Sequence, residues 1–451
     1  MEQLSPIAPS LTDHRTDEVT VQIGTTRARR VRRLIILKAH DRLHHVYLVG
    51  KTGTGKSTLL QNAVLQDIVA GHGCCFMDPH GESIDWILER IPPHRVEDVV
   101  LFDPSDVEMP LGLNLLEWQT ETEKDFLVSE AIQIFYKLFD PESQGVIGPQ
   151  FEHWMRNAAL TVMADPQGGT LIEIPRLFTD RHFELRKRRF VTDPVVNVFW
   201  DEQMEKTSDF HRSEMLNYFS SKFGRFMTNT AIRNVIGQPQ SAFRFSDIMD
   251  RRRILLVNLS KGKTGEMNAA MLGLILTAKL HTAAMQRATV PPVARIPFYV
   301  YIDEFQNLMT DTFVGLLSEV RKYGVALHLA NQYVAQLSED VRSAVLGNAR
   351  TLIAFQVGAD DAAILLREFE PATDPEAARI NLETFQYLLP HHYLIRLSLD
   401  GITYPPFEGE SLLPLGINTP LGADDVRTVS RLRFGKPRAL VEAEFAERYR
   451  A

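Results

Sequence analysis

Residues 50–58 read GKTGTGKST. Gly50, Gly55, Lys56 and Ser57 satisfy the pattern G-x-x-x-x-G-K-[ST]. Glycines let a backbone turn its N–H groups inward around an anion, and a helix beginning at the lysine adds its partial positive charge. The chemistry this implies is capture of a nucleoside triphosphate. Lys56 would reach the β- and γ-phosphates, and the Ser57 hydroxyl would ligate magnesium. The expected nucleotide-binding set is Gly50, Thr52, Gly53, Thr54, Gly55, Lys56, Ser57 and Thr58, and the expected cofactors are ATP and Mg2+.

A triphosphate site also needs a second metal ligand and a base for water. The stretch FYVYIDEFQN (298–307) supplies both at the end of an apolar run, where α/β sheets bind ligands. Asp303 would share the metal with Ser57, and Glu304 would polarise the attacking water. Gln332, closing VALHLANQ (325–332), is placed either to sense the γ-phosphate through a water or simply to make a turn. Arg321 in SEVRKYG is either a solvated arginine or a guanidinium offered to a neighbouring copy's phosphate, a contribution worth roughly 10³–10⁵ in rate. Asp78 and Glu82 in DPHGES admit metal or water orientation, a contact to the next subunit, or turn chemistry. His80 lacks metal-ligand spacing, so no zinc site is assigned. The basic runs RHFELRKRRF (181–190) and DRRR (250–253) read as solvated faces or as DNA contacts.

These residues need strands and helices to hold them. HHVYLVG (44–50) is a short strand entering the glycine-rich stretch, and STLLQNAVLQDIVAG (57–71) is a mostly apolar helix stopped by Gly71. VTVQIGTT (19–26), GCCFMDP (73–79), VVLFDP (99–104), RILLVNL (253–259), PFYVYIDE (297–304), VALHLANQ and TLIAFQVG (351–358) read as strands. Alternation of such strands with helices predicts an α/β fold with a mostly parallel sheet covered on both faces. From about residue 120 to 236 the period is helical instead, with Leu127, Ala131, Ile134, Phe135 and Leu138 on one face. The expected organisation is an arm and strand over 1–40, a nucleotide-binding domain over 41–119 and 237–422, an all-α insertion over 120–236, and a helical tail over 423–451 as a candidate interaction helix. HHYLIRLSLDGITYPPF (391–407) reads as a hairpin on the sheet edge.

The chain has 451 residues and a net charge of −8, which excludes a uniformly basic coat but not a local basic lining. Its two cysteines, Cys74 and Cys75, are adjacent and read as buried strand residues in a reducing compartment. The N-terminus has no apolar leader, and the run AAMLGLILTA (269–278) is too short to span a bilayer. The expectation is a cytoplasmic protein, recruited to the inner membrane only by a partner.

In order, VYLVGKTGTGKSTLL, MDPHGES, YIDEFQN and RKYGVALHLANQY resemble the HerA–FtsK superfamily of ring-forming, nucleic-acid-pumping ATPases, and within it the coupling ATPases of conjugation and type IV secretion. LGNARTLIAFQVGADDAAILLREF (346–369) and the helical insertion fit the same layout, so the resemblance spans about 40–445. It implies a RecA-like P-loop NTPase domain, a homo-hexameric ring with DNA in its pore, and a relaxase, nuclease or secretion-machinery partner. It maps the family's cradle lysine onto Lys56, its magnesium acid onto Asp303, its catalytic acid onto Glu304, its sensing glutamine onto Gln332 and its trans-acting arginine onto Arg321. Membrane-bound coupling proteins begin with transmembrane helices, and this sequence displays none. The leading expectation is an ATP-dependent DNA translocase. A protein-secretion or assembly ATPase and a nucleotide-gated scaffold for a nuclease or relaxase are the alternatives.

Overall fold

The computed structural model describes residues 20–28, 31–142, 144–207, 209–369, 380–417 and 419–450; the expected N-terminal arm lies, up to residue 19, outside them. The strands are β1 (Thr20–Ala28), β2 (Val31–Lys38), β3 (Val46–Val49), β4 (Gly73–Asp78), β5 (Val99–Phe102), β6 (Ile254–Asn258), β7 (Phe298–Ile302), β8 (Val325–Asn331), β9 (Thr351–Ala354), β10 (His392–Arg396), β11 (Ser398–Leu399), β12 (Ile402–Thr403) and β13 (Phe407–Ser411). β11 and β12 pair with each other; the rest form one 11-stranded sheet in the order β2-β1-β13-β10-β9-β3-β8-β7-β4-β6-β5. From β9 to β5 neighbours are parallel. β10, β13, β1 and β2 extend the sheet antiparallel.

Every residue of β3 to β9 is buried, as a parallel sheet covered on both faces requires. Alternate side chains divide between two apolar clusters: Tyr47, Val49, Cys75 and Met77 join one, while Val46, Leu48, Cys74 and Phe76 join the other. Both cysteines are free and buried. Between β5 and β6 the regular structure of the described residues is helical, from Glu121–Phe139 to Phe245–Asp250. Leu127, Ala131, Ile134 and Phe135 are buried there, in the same cluster as Val49 and Met77. These helices therefore thicken one layer of the sheet rather than enclose a separate core.

The sheet differs from expectation on one flank. β10 is not at the edge, because β13 and then the β1–β2 hairpin pair beyond it. β2 is the edge strand, and Arg32 and Arg33 lead its apolar run; charge at an edge strand is how sheets avoid pairing with other chains. β13, FEGES, reads as loop because of its glutamates and glycine. Gly409 is needed there: a Cβ would sit 2.6 Å from the Tyr393 ring. The candidate interaction helix packs on its own chain. In helix Ala423–Phe434, Ser430 Oγ accepts from Leu101 N of β5 at 2.8 Å and so covers the opposite edge. In helix Arg438–Arg450, Arg448 pairs with Glu173 at 3.0 Å.

A buried ionic network ties the central strands to the helices α1 (Ala39–Arg42) and α2 (Lys56–Val69). Arg42 donates bidentately to Asp67 at 2.8 and 2.6 Å and to Tyr301 Oη at 2.6 Å, and its guanidinium lies 3.7 Å from the Tyr299 ring centroid. Arg42 Nε also donates to His328 Nε2 at 3.2 Å, which requires the neutral imidazole; burial, with the Arg42 charge adding to it, holds the His328 pKa well below its ordinary value. Removing one member of a buried pair strands the other charge. Asp67→Ala is therefore expected to lower stability by about 3–5 kcal/mol in urea unfolding, and Asp67→Leu with Arg42→Met to recover most of that loss.

Candidate nucleotide-binding site

The cradle connects β3 to α2. Gly53 and Gly55 have φ of 78° and 116°, left-handed values that side-chain-bearing residues rarely adopt. Gly50 lies so close to Phe355 that a Cβ would be 2.6 Å from it. Thr54 Oγ1 donates to Lys51 O at 2.7 Å, closing the turn. Lys56 is buried, with its ammonium folded onto the Gly50 and Lys51 carbonyls, the latter at 3.1 Å. Burial lowers its pKa, and the charges of Asp303 and Glu304 oppose that shift. Thr52 and Gly53 are exposed at the tip; Ser57 and Thr58 are half-buried in the first turn of α2.

The acids arrive from β7. Ser57 Oγ donates to Asp303 Oδ2 at 2.9 Å, so residues 246 positions apart share one point. Asp303 is 6% exposed, and its pKa is pushed up to about 6 by burial, then by the charges of Asp78 and Glu304, against the Ser57 hydrogen bond and Lys56. Glu304 has φ 47° and ψ 48°, a left-handed conformation that costs on the order of 1–3 kcal/mol for such a residue. Its surroundings fix it: Glu304 N donates to Asp303 Oδ1 at 3.0 Å, Gln306 Nε2 to Glu304 Oε2 at 2.6 Å, and Asn307 Nδ2 to Glu304 O at 2.9 Å. Gln332 reaches the cradle itself, donating to Thr52 Oγ1 at 2.6 Å. A hydroxyl and a carboxylate side by side are hard oxygen donors of the kind that hold magnesium together with water and phosphate. The donor set at Ser57 and Asp303 thus fits Mg2+, and the glycine turn above Lys56 fits phosphates.

Other candidates fall elsewhere. Arg321 is exposed on the turn before β8, at the opposite end of that strand from Gln332, and so is remote from its own chain's cradle. Asp78 caps α3 (Glu82–Leu88): its two oxygens accept from His80 N at 2.7 Å and Ser83 N at 2.8 Å, while Glu82 is exposed. That is turn chemistry, although the Asp78 charge is felt by Asp303. Much of the basic run at 181–190 is neutralised internally. Arg181 pairs with Glu184 at 2.7 Å and Glu205 at 2.7 Å, Lys187 with Asp165 at 2.6 Å, and Arg188 with Glu184 at 3.2 Å and with Asp201. At 250–253, Asp250 binds Arg287 at 2.9 Å and Arg253 lies over the Phe434 ring. Sequence reasoning assigned no role to Gln306 and Asn307, although both lie in the IDEFQN stretch, nor to His391, whose N donates to Thr54 O at 2.8 Å.

Residues 297–365 match a family model described as the TraM recognition site of TraD and TraG. The bacterial conjugative coupling protein TrwBdeltaN70, in its unbound monoclinic form, matches with a TM-score of 0.59 at 13% identity, over 86% of this chain and 89% of that one. The fold is the RecA-like P-loop NTPase fold, a large mostly parallel sheet with covering helices. The plasmid coupling protein TrwB in complex with ADP and Mg2+ matches with a TM-score of 0.57 at 14% identity, over 85% and 88% of the two chains. VirB4 of Thermoanaerobacter pseudethanolicus matches with a TM-score of 0.58 at 12% identity, over 88% and 96%. No curated protein matches the chain. The segment 297–365 contains β7, β8 and β9 and carries Asp303, Glu304, Arg321 and Gln332. Among the described residues no helix is long and apolar enough to cross a membrane.

Because Asp303 ionises against burial, its charge works against folding above its raised pKa and not below the unfolded value near 3.8. Asp303→Asn is expected to raise the Tm of the ligand-free protein at pH 8, by up to about 3 kcal/mol in stability, with the difference vanishing near pH 4. Calorimetry at both pH values checks this.

Proposed function

We propose that the chain is an ATP-hydrolysing motor that moves DNA through a ring of its own copies, in a conjugation or type IV secretion setting. The observation that carries this reading is the hydrogen bond from Ser57 to Asp303, with Glu304 beside it and Gln332 on the cradle. Lys56 and the cradle N–H groups would neutralise the triphosphate, and Ser57 with Asp303 would hold Mg2+, which draws charge from the phosphates when bound. Glu304, fixed by Gln306 and Asn307, would accept a proton from the attacking water. Gln332 would detect the γ-phosphate through its tie to Thr52.

Arg321 enters this reading only through a second copy, since its own cradle lies at the other end of β8. A ring, taken as a hexamer, would grip DNA through backbone phosphates with few cations per subunit, which the net charge of −8 permits. The match over 297–365 favours a TraM-like, relaxase or nuclease partner. A second reading keeps the ATPase and makes the load a protein of a secretion machine, recognised by the helices between β5 and β6. The localisation in either case is cytoplasmic, at the membrane through a partner.

Lys56→Ala is expected to lose turnover, and Glu304→Gln to trap ATP. Arg321→Ala should keep nucleotide affinity and lose turnover by roughly 10³-fold or more, and mixing it with Glu304→Gln subunits should restore turnover if the arginine acts in trans. An ATPase assay with and without DNA, run beside mass measurement of the assembly, decides the load. Stimulation by DNA supports the first reading; ATPase activity indifferent to DNA favours the second. Hydrolysis left intact by Arg321→Ala removes that residue from the site.

A further inference from the structure

The strand order fixes which way a bound nucleotide must lie. The cradle follows β3; the metal-holding acid is on β7, beyond β8 on one side, whereas β9, β10 and β13 lie on the other. The γ-phosphate end has to face Asp303, so the base end leaves toward the β9–β10 flank. On that flank the chain makes an arc tied to the cradle at both ends. Before it, Gln386 O accepts from Gln356 Nε2 at 2.7 Å, and Gln356 O accepts from Lys51 N at 2.8 Å. After it, His391 N donates to Thr54 O at 2.8 Å, and the His391 ring is so close to Gly55 that a Cβ there would lie 2.9 Å from Nδ1.

Between those ties Leu388 is buried in the same apolar cluster as Phe385, and its neighbours are bare: Tyr387 is 74% exposed and Leu389 64% exposed. Tyr387 is held at the end of the helix Leu382–Gln386 by its N–H to Glu383 O at 3.0 Å. Two large apolar side chains bare to solvent, on a short arc clamped to a phosphate cradle, have a flat heteroaromatic ring as their natural occupant.

We propose that the arc Tyr387–Pro390 is the base-binding lip of the nucleotide site, with Tyr387 stacking on the base and Leu389 closing its edge. This rests on the cradle holding a nucleoside triphosphate. Every base has a π-face, so the lip accepts adenine and guanine alike and confers affinity for a base over none. His391, in the left-handed region at φ 67°, positions the arc against Gly55.

The test compares ATP, GTP and inorganic tripolyphosphate on the full chain by calorimetric titration with Mg2+, at one assembly state checked by mass. Tyr387→Ala is expected to weaken ATP and GTP about tenfold and to leave tripolyphosphate unchanged, while Tyr387→Phe keeps the affinity of the original chain. Because Tyr387 is exposed, the alanine variant keeps its fold. Unchanged ATP affinity in Tyr387→Ala, or a parallel loss of tripolyphosphate, overturns the lip and leaves the cradle standing. If the original chain binds neither ATP nor tripolyphosphate, the cradle reading falls and the lip with it.

Discussion

The structure depends on a register. In the parallel sheet β3 and β7 flank β8, with Val49 opposite Asn331 and Ile302 opposite Leu329. One residue on, Asp303 is therefore level with the end of β8, just where the chain leaves β3 for the glycine turn. Strands buried on both faces hold such a register firmly, because a slip by one residue would exchange the two apolar clusters and turn Asp303 to the other face. The Ser57–Asp303 hydrogen bond follows from that registration. Neither residue could find the other through local structure, separated as they are by 246 positions.

The helix that begins with the cradle is pinned against β7 at both ends. Near its start Ser57 meets Asp303, and near its finish Asp67 accepts from Tyr301 Oη at 2.5 Å and from Arg42. The first contact joins half-buried Ser57 to buried Asp303 beside the cradle; the second is fully buried and already complete. A charged group desolvated at the far end gains nothing in stability over a well-packed apolar one, so its value is in orientation. It fixes the rotation of α2 about its axis, and hence which way the Lys56 and Ser57 side chains leave the first turn.

Much of this was legible in the sequence because the signals are local. The glycine turn, the apolar runs of β3 to β9 and the acidic pair after β7 each declare themselves within ten residues. What was not legible depends on distant partners. The cations at 181–190 look free in sequence, yet the counter-ions Asp165 of Lys187, Asp201 of Arg188 and Glu205 of Arg181 come from other segments. β13 lacks the apolar density of a buried strand because it belongs to the antiparallel flank, with charged and glycine positions that only its neighbours explain. The tail from 423 is charged on average, but Val426 and Ser430 are buried on the chain's own β5 edge, a contact that composition hides.

The sheet's polarity carries one more consequence. In a parallel sheet all the strand ends that hold phosphate lie on one edge, and all the strand starts lie on the other. Arg321 precedes β8 and Arg350 precedes β9; both are exposed, and burial, with their charges adding to it, lowers the pKa of His44, which precedes β3. These cations cannot serve the cradle at the far end of their own strands. Both guanidinium groups lie at the strand starts, opposite the edge that carries the acids. Copies stacked head to tail would bring the basic edge of one toward the anionic ligand of the next. That contact is heterologous, so it closes into a ring or runs on as a filament. On the proposed function, hydrolysis would then depend on the neighbour by construction, because no rearrangement within one folded sheet can bring its two edges together.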